Sequence, residues 1–213
     1  LSDIPFFNVH CHVLEDHNVT IFQGKTGLLD MWFSFGIHPW YADISGISPT
    51  FLEQLNLPTC LAIGEIGLDK LKGPDFKTQT HVFEKQIELS ESLELPVIIH
   101  CVKAWNELKI LKRKLNPIQP WIFHGFSKVS ILDEVLSEGF YVSFGEAILK
   151  NRKLLDSASK TPNEKVFLET DDSEVPIEMV YHEFAKAKQI TLQELKQIEF
   201  NNFKSVFKKW KSG

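Results

Sequence analysis

Five short apolar runs in this chain each end in a side chain able to bind a metal ion. Asn8-Val9-His10-Cys11-His12 closes the first and Leu61-Ala62-Ile63-Gly64-Glu65 the second. Val97-Ile98-Ile99-His100, Trp121-Ile122-Phe123-His124 and Val166-Phe167-Leu168-Glu169-Thr170-Asp171 complete the set. His10, His12, His100, His124, Glu65 and Asp171 are the nitrogen and carboxylate donors that a two-metal hydrolytic site requires. A carboxylate such as Glu65 can bridge two cations about 3.5–4 Å apart, so that they share a hydroxide. Asp171 can bind one cation and accept the proton of the attacking water. These donors suit two divalent ions and leave zinc, manganese, iron and magnesium open as their identity.

Each residue has a plainer alternative. Alternate residues of a strand share a face, so His10 and His12 enter one space, as ligands or as strand-end histidines satisfied by hydrogen bonds. His100 and His124 taken singly would be hydrogen-bonded core residues, but they recur at one position of successive units, which favours ligation. For Glu65, between glycines at the end of a buried strand, the alternative is a buried salt bridge. His38, in Gly36-Ile37-His38-Pro39-Trp40, is read as a contact to substrate phosphate, or else as a loop histidine packed on Trp40. Lys103, like Lys70, Lys72 and Lys128, follows a strand end and could face an anionic substrate or simply be solvated. Glu169 lies one layer deeper than Asp171 and is read as supporting the ligands. Asp69 is read as orienting the loop after it, and Asp172 as a cap. His17, His81 and His182 fall in loops or helices.

Such residues converge only if their strands all point the same way, as in a parallel barrel, where strand ends collect on one face. Apolar runs of strand length predict eight strands, at about 5–10, 18–23, 29–37, 60–65, 96–101, 120–125, 139–144 and 165–170. Helical spacing of apolar residues predicts helices over 77–93, 103–114, 128–137, 176–188 and 191–209. Alternation of this kind is the pattern of repeated βα units. Only Gly24 to Leu28 separates the second and third strands, too few residues for a crossover helix, so either that pair is antiparallel or one strand is misassigned. The expected fold is therefore a distorted TIM barrel, shortened at that point, with residues 1–213 as a single domain. The length of 213 residues is short for such a barrel, which usually takes about 250.

Composition narrows the function. A formal net charge of −5 disfavours coating of duplex DNA, which depends on neutralising many phosphates. A phosphate-processing pocket remains open to an acidic chain, because bound divalent cations supply local positive charge. The three cysteines, Cys11, Cys60 and Cys101, lie in or beside apolar runs without a CxxC pair and are read as reduced thiols. With no signal-peptide pattern and no 18-residue apolar span, a cytoplasmic protein without membrane or obligatory protein partner is expected.

Taken in order, His-Cys-His, Gly-Ile-His-Pro, Gly-Glu-Ile-Gly-Leu-Asp, Val-Ile-Ile-His-Cys, His-Gly-Phe-Ser and Glu-Thr-Asp resemble the TatD-type metal-dependent deoxyribonucleases over about residues 5–207. The resemblance implies an amidohydrolase-like barrel and a two-metal phosphodiesterase site. It implies one metal on His10, His12 and Asp171, a second on His100 and His124, Glu65 between them, and His38 close to substrate. Asn8-Val9, Val102-Lys103 and Asp172-Ser173 depart from residues usual in the family; they alter the pocket wall rather than a ligand. The implied reaction is phosphodiester cleavage in DNA, with single-stranded ends or oligonucleotides as substrate. Amidohydrolysis of C–N or ester bonds, and a non-catalytic binding protein on the same fold, are the alternatives.

Overall fold

Strands form at the apolar runs, and helices where apolar residues recur every three or four positions. The computed structural model describes residues 4–13, 19–23 and 31–210. Strands β1 (Phe7–Cys11), β2 (Val19–Gln23) and β3 (Phe33–Phe35) come first. Then follow α1 (Pro49–Asn56), β4 (Cys60–Asp69), α2 (Phe76–Leu93), β5 (Val97–Val102), α3 (Trp105–Leu115) and β6 (Trp121–Phe123). The chain ends with α4 (Leu132–Ser137), β7 (Tyr141–Phe144), α5 (Ala147–Lys150), α6 (Arg152–Ala158), β8 (Val166–Leu168), α7 (Ile177–Lys188) and α8 (Leu192–Val206).

Two compact units result. The first takes the residues up to Phe22 together with His124–Val206; the second takes Gln23–Phe123 with Phe207–Trp210. In the first unit β1 pairs with β2 and β7 with β8, both parallel, and a parallel bridge from Cys11 to Asp171 joins the ends of the β1 and β8 segments. In the second unit β3, β4, β5 and β6 lie side by side in chain order, again parallel. Parallel order in both units is the α/β class read from the sequence.

Burial explains why these segments hold. All ten residues of β4 are buried, as a strand covered on both faces must be. Helix α2 lays Val82, Phe83 and Ile87 inward, with the Phe83 ring edge-on to Trp121 at 5.4 Å. Each such side chain contributes roughly 1.5–3 kcal/mol by leaving water. In the first unit Phe7 packs 4.8 Å from Phe203 of α8, while Tyr181 of α7 clamps the start of β1. Its hydroxyl donates to the Phe7 carbonyl (2.9 Å) and accepts from the Phe7 N–H (3.1 Å).

Several boundaries differ from those expected. Strand β4 continues four residues past Glu65 to Asp69, because Gly64 and Gly67 let it run tight against β5. An added methyl on Gly64 would lie 2.6 Å from Ile98 Cβ, and one on Gly67 would collide with the His100 carbonyl. Helix α1 was not expected, although Ser48 caps it by accepting from Phe51 N–H (3.2 Å) and Pro49 opens it. Helices α5 and α6 were also missed; both are too short for a clear apolar period. The helix expected over 128–137 begins as a 3₁₀ turn at Val129–Ile131, and α8 stops at Val206 rather than 209. The third strand is shorter than 29–37, and Gly24–Leu28, where the shortening was placed, lies outside the described residues. A second abbreviated unit escaped notice: β1 and β2 run parallel although only residues 12–18 separate them, where a crossover ordinarily takes a dozen or more. Among the described residues no helix is long and apolar enough to cross a membrane.

Candidate metal centre

In the first unit the backbone brings the donors together. Asp171 N–H donates to the His10 carbonyl (3.0 Å), and His12 N–H donates to the Asp171 carbonyl (2.8 Å). Asn8 reinforces this join. Its side-chain amide donates to Thr170 Oγ1 (2.8 Å), and its Oδ1 accepts from Thr170 N–H (3.1 Å). Asp171 takes a left-handed backbone (φ 56°), which Asp tolerates better than most residues. As a result His10 Nε2 and His12 Nε2 each lie 3.5 Å from Asp171 Oδ1.

His124 completes this group. Its ring centroid is 4.5 Å from that of His10, and donor atoms of His10, His124 and Asp171 all fall within 4.8 Å of one another. Glu169 is fully buried behind it. Its Oε1 accepts from Gly125 N–H (2.6 Å) and lies 3.7 Å from His124 Nδ1, while Oε2 accepts from the Ser143 hydroxyl. Glu169 thus holds the backbone and ring of the His124 segment and is spent on that task.

In the second unit side chains do the positioning. His100 Nδ1 lies 2.6 Å from Glu65 Oε1, and His100 Nε2 lies 3.2 Å from Asp69 Oδ2. His38 joins them, with Nε2 3.2 Å from Glu65 Oε1 and 3.3 Å from His100 Nδ1. Its Nδ1 accepts from Trp40 N–H (3.1 Å), so the neutral ring carries its proton on Nε2 and donates into the cluster. Asp69 is the hub. Its Oδ2 also accepts from Trp40 Nε1 (2.6 Å), and its Oδ1 accepts from the N–H groups of Leu71 (2.7 Å) and Lys72 (3.1 Å). Burial raises the Asp69 pKa, but the hydrogen bonds from Trp40, Leu71, His100 and Lys72 outweigh it and hold the carboxyl below its ordinary range.

Both groups fit a divalent cation. A tetrahedral site with bonds of about 2.0–2.1 Å has donors roughly 3.3–3.4 Å apart, close to the His10–Asp171 and His12–Asp171 separations. In the second group the His100 ring lies between two carboxylates, Nδ1 2.6 Å from Glu65 Oε1 and Nε2 3.2 Å from Asp69 Oδ2; in the neutral tautomer that donates to Asp69, the Nδ1 lone pair faces Glu65. Two acceptors at that distance repel unless a proton or a cation lies between them.

Lys103 is exposed just beyond β5 in a left-handed conformation (φ 56°). Lys70 pairs with Glu107, and Lys72 lies over the Trp40 ring. Lys128, Asp172, His81 and His182 are exposed, and His17 lies outside the described residues. Sequence reasoning missed Trp40, Asn8, Ser143 and two glutamines of α2. Gln79 Oε1 accepts from Asp69 N–H (2.8 Å), and its amide donates to the carbonyls of Asp69, Lys72 and Pro74. Gln86 accepts from Ile37 N–H (2.7 Å) and donates to the Ile37 carbonyl, fixing the residue before His38. A signal existed: both are polar residues on the apolar face that Val82, Phe83 and Ile87 define.

Parallel α/β units, each carrying a His–carboxylate group, are what these observations define. Solved structures support the fold: the TatD homologue YJJV of Escherichia coli superposes with a TM-score of 0.77 at 22% identity, over 95% of this chain and 98% of that one. The fold class is thus the distorted TIM barrel that the sequence implied. A sequence profile described as "TatD related DNase" matches residues 6–208, and the chain belongs to that family. The "3'-5' ssDNA/RNA exonuclease TatD" of Erwinia tasmaniensis is 32% identical over 148 residues, 66% of this chain and 57% of that protein. An "uncharacterized metal-dependent hydrolase" of Methanocaldococcus jannaschii is 27% identical over 98% of this chain and 99% of its own length. The chain thus spans a little over half the length of the exonuclease and nearly all of the archaeal relative.

Proposed function

We propose that this chain is a metal-dependent phosphodiesterase that cleaves DNA, acting on single-stranded ends or short oligonucleotides, with residues 1–213 serving as one hydrolase domain. The observation that carries the reading is the convergence of donor atoms in two groups, His10, His124 and Asp171 in one and His38, Glu65 and His100 in the other, each within 4.8 Å of one another and able to hold a cation. In this reading His10, His12, His124 and Asp171 make one donor set and Glu65 and His100 the core of another, each set taking one divalent ion. Bound there, the ions would withdraw charge from the phosphoryl oxygens and make a water acidic enough to attack at neutral pH. Asp171 would be the group that accepts the proton of the attacking water. A substrate phosphate oxygen would replace Glu65 as the acceptor facing His38 Nε2, and Lys103 is the candidate for a more distant phosphate. Family membership and the nuclease and metal-dependent hydrolase names of the relatives support the reaction class. The net charge of −5 supports a confined strand end over a coated duplex.

Burial pushes the Cys60 thiol up to about 12 and leaves it inert, and an odd cysteine number without a CxxC pair fits the reducing, cytoplasmic setting that we propose. The test is hydrolysis by metal-replete protein of end-labelled single-stranded oligonucleotides beside a panel of amides and lactones. Phosphodiester cleavage that chelation abolishes is the expected result. Cleavage confined to the amide or lactone panel would overturn the proposal, as would inactivity on every phosphodiester.

A further inference from the structure

Next to the His38–Glu65–His100 group, in the same unit, two aromatic rings reach solvent. Tyr41 is 74% exposed and Trp40 36%. The short turn Pro39–Tyr41 ties both to the donors: the His38 ring lies 4.7 Å from that of Trp40 and 6.2 Å from that of Tyr41. Trp40 is committed on several sides. It meets His38 edge-on, its Nε1 donates to Asp69, and Lys72 Nζ sits 4.1 Å above its ring. The loop that carries Lys72 is seated directly on this turn. Gly73 takes a left-handed conformation (φ 94°), and a methyl there would lie 2.6 Å from the Pro39 carbonyl oxygen. With Asp69, Lys70, Leu71 and Phe76 this loop lines an open cavity of about 530 Å³.

We propose that Tyr41 is the stacking platform for the base beside the scissile phosphate, and that Lys72, held over Trp40, receives the adjoining phosphate. The inference rests on the phosphodiesterase reading and adds what selects the substrate. An exposed aromatic ring accepts the face of any base, whereas an ammonium group beside it accepts phosphate charge. A base within a duplex already spends both faces on its neighbours, so this surface selects unpaired nucleotides.

The test uses metal-replete protein and a nuclease-resistant phosphorothioate octathymidylate, compared with oligomers abasic at one end or the other. Stacking contributes roughly 1–3 kcal/mol per base, so the intact oligomer should bind about 5- to 140-fold more tightly than the abasic oligomer that vacates the platform. Tyr41→Ala removes that preference and Tyr41→Phe keeps it. Lys72→Ala weakens intact and abasic oligomers alike and lowers the salt dependence by about one phosphate contact. A full base preference in Tyr41→Ala overturns the role of Tyr41, and an unchanged salt dependence in Lys72→Ala overturns that of Lys72. Cleavage of the unprotected oligomer by wild-type protein is scored separately. Cleavage without any base preference defeats the stacking inference alone, whereas neither binding nor cleavage defeats the phosphodiesterase reading as well.

Discussion

In the unit that carries β1 and β8, the main chain places three of the four donors: two backbone hydrogen bonds lock Asp171 between His10 and His12, and Asn8 secures Thr170 beside it. The fourth, His124, leans on a side chain, that of Glu169. In the unit that carries β3 to β6, side chains take over. Asp69 orients His100, Trp40 and the following loop, while Gln79 and Gln86 fasten the backbone on either side. The contrast has a physical origin. Asp171 belongs to a segment bridged to β1, so pairing itself delivers the ligand. His38 follows the very short strand β3, so its ring is held by side-chain contacts to Glu65 of β4 and His100 of β5 rather than by strand pairing. One group should therefore yield mainly to loss of its donors, and the other also to loss of residues that touch no substrate.

The largest effect tests what the two groups share. Asp171→Asn and Glu65→Gln should each lower kcat for phosphodiester cleavage by about 10²–10⁴-fold, measured alongside bound metal by elemental analysis. If either variant keeps full activity, its group is not catalytic. Next comes the supporting layer. Asp69→Ala should weaken cation binding at the His100 group by roughly 10- to 100-fold, as read by metal titration. Asn8→Ala, which leaves the two backbone hydrogen bonds at Asp171 intact, should cost much less at the other group. Equal losses in the two variants would erase the distinction between main-chain and side-chain positioning.

Gly67→Ala should cost about 1–3 kcal/mol through overpacking against the His100 carbonyl, lowering Tm by several degrees. An unchanged Tm would mean that β4 and β5 can separate without penalty. The smallest effect lies behind β1. Glu199 of α8 is fully buried, and burial raises its pKa well above the ordinary 4.5. The folded state therefore keeps a proton that the unfolded chain releases, and stability falls as pH rises from about 4.5 toward the folded pKa. Glu199→Gln should flatten that slope, with a Tm gain at neutral pH that fades toward pH 4.5. A gain independent of pH would place the effect in packing rather than ionisation.

Much of this was legible from one chain. The apolar runs of β1, β5 and β6 lead into His10, His100 and His124, which the structure gathers into its two His–carboxylate groups. The reach of β4 to Asp69 was not legible, since its continuation depends on how closely Gly64 and Gly67 admit β5. Helix α1 was overlooked although Ser48-Pro49 announces it, because the eye follows apolar period and an eight-residue helix shows little of it.

By itself the sequence determined the α/β class, the family and the positions able to hold metal, because periodicity and residue type are properties of local chain. Only the tertiary structure decided what those positions touch. It set His38 against Glu65 and His100, gave Asp69 both a loop and a ring to hold, and stood Tyr41 out beside them. These relations join residues tens of positions apart, and their distances depend on strand register and close packing, which no local pattern encodes.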